Sequence, residues 1–195
     1  MIIGLTGTLG SGKGTVAKII AKKGFRHTTL SDRIREEAAR RGISSEQNRK
    51  ILQDIGNELR EKYGNNIWVL ITLKMINEKE NWIIDGIRNL GEIEDLKKRR
   101  DFRLIAVDAP TEMRAERIWR RNKLAEEGRV NSDPLDVAEF KRVEERDRGI
   151  GEKSSGQQVE RCMEKADFKI INDEGKEELE KKVDSALAEM KAKYF

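Results

Sequence analysis

The sequence predicts an α/β fold, in which a five-stranded parallel sheet carries helices on both faces. Short apolar runs alternate along the chain with longer amphipathic segments, which is the pattern of strands joined by crossover helices. The polar residues that could do chemistry follow these apolar runs, where the carboxyl ends of parallel strands meet at one edge. With 195 residues the chain is expected to form a single domain with a sizeable core.

The first strand and the first helix enclose a glycine-rich loop. The apolar run 2–6 predicts a strand, residues 16–21 open a helix, and GTLGSGKGT lies between them at 7–15. Glycines allow successive N–H groups to turn inward at phosphate oxygens, and the helix N-terminus adds its positive dipole end. A lysine supplies a mobile charge for the outer phosphates. We therefore expect a P-loop whose triphosphate-binding residues are Gly10, Ser11, Gly12, Lys13, Gly14 and Thr15.

A dinucleotide-binding turn is the main alternative for this loop. It would require the pattern Gly-x-Gly-x-x-Gly and an acidic residue at the end of the next strand. The chain has Gly10-Ser11-Gly12-Lys13-Gly14 instead, and its second apolar run ends in Thr28-Thr29-Leu30. The pattern favours a triphosphate over a dinucleotide.

The second to fourth strands alternate with further helices. Strands are expected at 25–30, 82–84 and 102–107, where short apolar runs end at polar residues. Ser31 and Ser45 are typical N-caps, and Gly42 and Gly64 are typical helix stops. Apolar residues at helical spacing complete the prediction of helices at 31–41, 45–62, 66–79 and 91–100.

The last part of the chain predicts four helices and the fifth strand. Thr111 is a good N-cap for a helix to about residue 127, and the polar segment 128–135 predicts an exposed loop. Helices are expected at 136–148, 153–165 and 176–193, and the fifth strand at 167–172.

The composition excludes several classes of function. The 40 basic and 36 acidic residues nearly balance, which indicates a mixed solvated surface and disfavours nucleic acid as a partner. No apolar run approaches the length of a membrane span, and the first strand follows Met1 directly, without a signal peptide. The single cysteine, Cys162, cannot form an internal disulfide. We therefore expect a cytoplasmic protein that binds no membrane.

Two segments after predicted strands could hold a second substrate. Asp85 closes an apolar strand next to the P-loop strand, where a carboxylate can orient magnesium, and Arg88 follows it by three residues. Ser31 opens the helix after the second strand, and Arg35 lies one turn further on the same face. Taken alone, either arginine would be interpreted as a surface charge.

Arginines are also frequent between residues 114 and 148. Arg117 and Arg121 share one helix face, as do Arg142 and Arg146, and the two pairs flank the loop at 128–135. Interleaved glutamates suit a charged helix surface. Two arginine pairs around a loop are also typical of a lid that closes over phosphates, and we expect such a lid at about 121–150.

These motifs together resemble the nucleoside monophosphate kinase group, which includes adenylate kinase. The matches are the loop ending at 10–15, Ser31-Asp32-x-Ile34-Arg35, Asp85-Gly86-x-Arg88 and the Arg117/Arg121 pair. Glu92 stands where adenylate kinases carry a glutamine that reads adenine. The segments at 4–7 and 166–175 look more like dephospho-coenzyme A kinases, although that family has Ser or Thr at the position of Gly14.

The resemblance implies a nucleotide kinase fold with acceptor-binding helices at about 31–79 and a particular division of roles. ATP and a small phosphate-bearing acceptor would be the partners, and Mg²⁺ the cofactor, held through water by Asp85. The ATP site would include Arg117 and Asn172 besides the P-loop. The expected catalytic residues are Lys13, Arg88, Arg117, Arg121 and Arg146, and the expected acceptor-binding residues are Ser31, Asp32, Arg35, Arg88 and Glu92.

The predicted activity is therefore transfer of the ATP γ-phosphoryl group to a (deoxy)nucleoside monophosphate. Dephospho-coenzyme A kinase is the alternative within the class. A P-loop ATPase that acts as a nucleotide switch without an acceptor is the alternative from another class. The sequence leaves open the acceptor, ATP against GTP, and the oligomeric state.

Overall fold

A computed structural model describes residues 1–43, 49–126 and 136–194. Its sheet has the strand order β2-β3-β1-β4-β5, and every paired strand is parallel to its neighbour. The predicted fold class is therefore confirmed. The strands are β1 (Ile2–Gly7), β2 (Arg26–Thr29), β3 (Trp82–Asp85), β4 (Phe102–Asp108) and β5 (Phe168–Ile171).

Helices cover both faces of this sheet. Within the described residues they are α1 (Lys13–Ala21), α2 (Leu30–Arg40), α3 (Arg49–Tyr63), α4 (Ile67–Leu73), α5 (Leu90–Leu96), α6 (Thr111–Glu126), α7 (Val137–Arg148), α8 (Val159–Glu164) and α9 (Lys176–Tyr194).

The core is split by the sheet because side chains alternate between the faces of a strand. Ile3 of β1 packs in a cluster with α1 and α9, which includes Val16 and Val183. Ile2 belongs to the opposite cluster, which α2 to α5 and α8 complete with residues such as Trp68. Each face therefore has its own apolar layer, and β1 lies between them at the centre of the sheet.

Several predicted boundaries differ from the structure. Ser31 is not an N-cap, because α2 begins at Leu30 and Thr29 accepts the capping hydrogen bond from Asp32 N. The helix expected at 66–79 ends at Leu73, and the helix expected at 153–165 starts at Val159. Asp136, predicted as the first residue of its helix, is instead the N-cap of α7. Ser45 and the loop at 128–135 lie outside the described residues.

The parallel arrangement places the ends of all strands at one edge of the sheet. The P-loop follows β1, Leu30 and Ser31 follow β2, Gly86 follows β3 and Asn172 follows β5. Among the described residues, no helix combines the length and apolar character that spanning a membrane requires.

Candidate active site

The P-loop has the backbone shape that anion binding requires. Gly12 is the N-cap of α1 and adopts a left-handed conformation with φ 95°, so the helix begins at Lys13 and Thr15 N donates to Gly12 O at 2.8 Å. Gly10 also has a positive φ of 78°, and a Cβ there would lie 2.6 Å from Arg114 O. Only glycine fits both positions, and the loop carries its N–H groups into the start of a helix.

Lys13 folds back over the loop that precedes it. Its Nζ donates to Gly7 O at 2.7 Å and to Thr8 O at 2.8 Å. These carbonyls hold the ammonium group on the loop side of α1. A cation placed there is within reach of phosphates that bind to the loop N–H groups.

Asn172 braces the P-loop from the far end of the chain. Its side chain is almost fully buried, and Nδ2 donates to Ser11 O at 2.8 Å across 161 residues of sequence. A Cβ on Gly12 would collide with the same amide. Asn172 was predicted to bind ATP, and the structure places it behind the loop, where it fixes the loop shape.

Arg114 of α6 also supports the P-loop, and it was not predicted as a site residue. It is 1% exposed, and its guanidinium donates to Ala109 O at 2.9 Å and to Leu9 O at 3.2 Å. It also pairs with Glu144 of α7. The loop therefore rests on a buried arginine that ties it to α6 and α7.

Arg117 lies beside the P-loop brace. Nη2 donates to Asn172 O at 3.0 Å, whereas Nη1 is buried and has no hydrogen-bond partner among the described residues. Burial lowers the pKa of Arg117 from its ordinary value. A buried donor without a partner is costly, and an anion at the donor site would satisfy it.

Asp85 ends β3 in the middle of the candidate site. It is in register with Thr29 of β2 on one side and Leu5 of β1 on the other. Its Oδ1 is buried and finds no hydrogen-bond partner in the part of the chain that the structure describes, and its Oδ2 lies 3.8 Å from His27 Nε2. The unpartnered carboxylate oxygen could accept a hydrogen bond from a water molecule on a metal ion.

A cleft next to this edge combines three of the predicted acceptor residues, Ser31, Arg35 and Arg88. Ser31 Oγ lies close to the backbone turn at Gly86, which follows β3. Arg35 and Asp32 are half-exposed on α2 and form a loose ion pair of 3.4 Å. The full lining is Ser31, Ile34, Arg35, Leu52, Gln53, Gly56, Arg60, Arg88 and Gln157.

Arg88 is held by two groups that sequence reasoning missed. Its Nη1 lies 2.9 Å from Asp147 Oδ2 and 3.0 Å from Gln157 Oε1. Burial opposes the charge of the guanidinium, but the carboxylates of Asp147, Asp85 and Glu92 raise the pKa of Arg88 overall. Arg88 is therefore a permanent cation with a fixed orientation.

Glu92 does not line the cleft as an acceptor-reading residue. Its side chain is 0% exposed and Oε1 accepts from Arg60 Nε at 3.0 Å and Nη2 at 2.8 Å. Oε2 accepts from Arg88 N and Asn89 N, which completes a capping box on α5. Both oxygens are thus used inside the protein, and the predicted contact of Glu92 with an acceptor base does not agree with this geometry.

The predicted lid arginines are dispersed. Arg121 is exposed on α6, one turn beyond Arg117, and Arg142 is exposed on α7. Arg146 faces α3, because it pairs with Asp54 at 2.8 Å and Glu152 at 2.7 Å. The structure therefore does not bring Arg146 to the P-loop as expected. The part of the predicted lid at 127–135 lies outside the described residues.

Asp147, Gln53 and Gln157 carried no signal in the sequence. Gln53 Nε2 donates to Asp147 Oδ1 at 2.8 Å, and both side chains are buried. Gln53 comes from α3, 94 positions before Asp147 of α7, and Gln157 precedes α8, 69 positions after Arg88. No local spacing could have predicted that they meet around Arg88.

Comparison with known proteins identifies the family. Residues 3–148 match the AAA domain family. A "UPF0200 protein" of Sulfurisphaera tokodaii is 33% identical over 190 residues, covering 95% of both chains. A "UPF0200 protein" of Methanothermobacter thermautotrophicus is 31% identical over 89% of this chain and 82% of the relative. The chain thus belongs to the AAA domain family and to the UPF0200 proteins.

Solved structures show the same fold at low sequence identity. The shikimate kinase of Aquifex aeolicus has a TM-score of 0.55 and 18% identity, with 99% of both chains covered. A gluconokinase from Sinorhizobium meliloti has a TM-score of 0.57 and 12% identity, with 96% of this chain and 91% of the other covered. This protein therefore has the P-loop kinase fold.

Proposed function

We propose that the protein is an ATP-dependent phosphotransferase that acts on a small phosphate-bearing acceptor of the nucleoside monophosphate type. The observation that supports it most is the pairing of two sites at one sheet edge. A P-loop with Lys13 follows β1, and a cleft with Ser31, Arg35 and Arg88 follows the neighbouring strands β2 and β3. One site suits a triphosphate and the other suits a second anion.

The donor half would work by positioning and charge. The N–H groups at the start of α1 and the ammonium group of Lys13 would hold the β- and γ-phosphates. Arg117 would offer its unpartnered Nη1 to the phosphates once they bind. Arg121 stays a predicted contributor, since it lies one turn further on the same helix.

The acceptor half would use the arginine fork. Arg88 and Arg35 would each donate to the acceptor phosphate, and the planar guanidinium suits a bidentate contact better than an ammonium group does. A phosphate monoester has a second pKa of about 6, so it is already an anionic nucleophile near neutral pH. The protein would need no general base, and His27, the only histidine, lies on β2 against Asp85.

Magnesium fits this site through its bound water and the phosphates. The buried, unpartnered Oδ1 of Asp85 could receive a hydrogen bond from metal-bound water. Gly14 offers no hydroxyl, and no group of three or more metal-binding side chains occurs in the described ranges. When bound, the ion would neutralise charge on the β- and γ-phosphates.

The decisive experiment is an acceptor panel with Mg-ATP. The panel holds AMP, CMP, UMP, GMP, dTMP and dephospho-coenzyme A. Shikimate and gluconate are added because two proteins with this fold are named for them. We expect acceptor-dependent ADP release with at least one monophosphate, and loss of it in Arg88→Ala. If dephospho-coenzyme A were the only acceptor phosphorylated, the protein would be a dephospho-coenzyme A kinase instead. ATP hydrolysis that no acceptor stimulates would overturn the proposal and favour a nucleotide switch.

A further inference from the structure

A buried polar network links Arg88 to two other parts of the molecule. Asp147, at 2% exposed, places Oδ2 2.9 Å from Arg88 Nη1 and accepts from Gln53 Nε2 with Oδ1 at 2.8 Å. Gln157 accepts from the same Arg88 nitrogen at 3.0 Å. A carboxylate on α7 therefore sits between the acceptor helix α3 and the proposed acceptor arginine.

We propose that Asp147 is a positioning residue for phosphoryl transfer, which holds Arg88 in the orientation that receives the acceptor phosphate. This inference rests on the proposed function of the cleft. Asp147 does not touch the acceptor. It acts through Arg88, and through Gln53 it makes that orientation depend on the packing of α7 against α3.

The geometry of the fork supports this role. Asp147 and Gln157 both engage Nη1 of Arg88. One corner of the planar group is therefore fixed, which determines the direction of the remaining donors. Because the fork is rigid, fixing one nitrogen orients the others at little further cost in entropy.

Further polar contacts join α3 to α7 and to the segment that follows α7. Arg146 joins Asp54 and Glu152, Asn57 Nδ2 donates to Glu152 Oε2 at 2.6 Å, and Lys153 pairs with Glu61 at 3.3 Å. These contacts lie along α3 from its middle to its last turn. Asp147 is the member of the contact that pairs with Arg88, which lines the cleft.

The negative charge of Asp147 and its positioning role predict opposite changes in phosphate affinity when the side chain is removed. A carboxylate beside Arg88 reduces the attraction of the arginine for anions. If the charge were its only effect, Asp147→Ala would bind an acceptor phosphate more tightly. Positioning has the opposite consequence, because a mobile guanidinium must be ordered again each time the anion binds.

The experiment measures two properties of wild type, Asp147→Ala, Asp147→Asn and Arg88→Ala. The first is the affinity for inorganic phosphate, by calorimetry, with ADP and Mg²⁺ saturating the P-loop. The second is the steady-state KM for the best monophosphate of the panel and for ATP. We expect Asp147→Ala to weaken phosphate binding and to raise the acceptor KM at least tenfold, with the ATP KM unchanged. Asp147→Asn keeps an acceptor oxygen and should recover part of the loss.

The matched control is Glu61→Ala, which removes an exposed ion pair of the same α3 contact but touches neither Arg88 nor Asp147. It should leave both measurements at the wild-type value. Unchanged or tighter phosphate binding in Asp147→Ala would overturn the inference, as would wild type that binds no phosphate. Equal losses for ATP and acceptor, with a lower melting temperature, would assign Asp147 a purely structural role. A panel without turnover, combined with Asp147-dependent phosphate binding, would refute only the proposed phosphotransfer.

Discussion

The two halves of the candidate site are built in different ways. The donor half is one continuous stretch between β1 and α1, and its contacts are mostly backbone groups that two left-handed glycines arrange. The acceptor half takes side chains from α2, α3, α7 and the segments after β3 and before α8. A phosphate-binding loop can be encoded locally, whereas a cleft of side chains depends on how distant helices pack. The two halves should therefore respond differently to substitution.

The largest effect is expected for Lys13→Ala in the donor half. Removing the ammonium group takes away charge stabilisation of the transferred phosphoryl group, and loss of one such group costs on the order of 10²- to 10³-fold in kcat. Turnover with the panel's best acceptor measures this loss. Acceptor binding, followed with ADP present, should stay at the wild-type value. A Lys13→Ala protein with full kcat would place the donor phosphates elsewhere.

Arg88→Ala should instead act through the acceptor. We expect the acceptor KM to rise about 100-fold, since a charge-assisted bidentate contact is lost and the buried Asp147 loses its ion pair with Arg88. The ATP KM should change little. Arg88→Lys is the informative comparison, because it keeps the charge and loses the fork. Rates that stay intact in both variants with every acceptor would show that the cleft is not the acceptor site.

Substitution of Glu92 distinguishes a structural role for this residue from a role in acceptor binding. Glu92→Ala breaks a buried ion pair with Arg60 and the capping box of α5, and removal of one partner of such a pair typically costs about 3–5 kcal/mol. Urea denaturation measures this loss, and the ATP KM of the folded fraction should be unchanged. If Glu92→Ala kept the wild-type stability but changed the acceptor preference, Glu92 would be assigned to acceptor binding instead.

A smaller effect is expected for Asn172→Ala. The substitution removes the hydrogen bond to Ser11 O, so the loop keeps its sequence but loses its brace. We expect the ATP KM to rise several-fold, in line with about 1 kcal/mol for one such hydrogen bond. ATP binding to wild type and variant can be compared by calorimetry, with the acceptor KM as the control. A variant that hydrolyses ATP normally but cannot use the acceptor would contradict a role on the donor side.

The sequence predicted the fold class and the donor loop because both depend on local patterns. Alternating apolar runs fix the strands, and GSGKGT at 10–15 needs no distant partner to be interpreted. Arg88 and Arg35 were placed near the cleft because the ends of parallel strands meet at one edge. Asp147 could not be predicted, since its role depends on α7 packing against α3.

The resemblance predicted substrate contacts for two residues, Glu92 and Arg146, whose side chains form structural contacts instead. Glu92 was expected to read an acceptor base, yet α5 needs a carboxylate at that position to cap its N-terminus and to neutralise buried Arg60. Arg146 was expected over the phosphates, and the acidic residues of α3 and of the segment after α7 attract it instead. In both cases the competing partner is far away in sequence.

The brace from Asn172 to the P-loop also bears on the order in which the site is completed during synthesis. The loop emerges from the ribosome well before its brace, because Asn172 follows β5 and lies 161 positions after Ser11. A nascent chain that ends before residue 172 has the glycines and Lys13 without the amide that fixes them. The donor loop can therefore reach its final shape only after residue 172 has been synthesised and the fifth strand has joined the sheet.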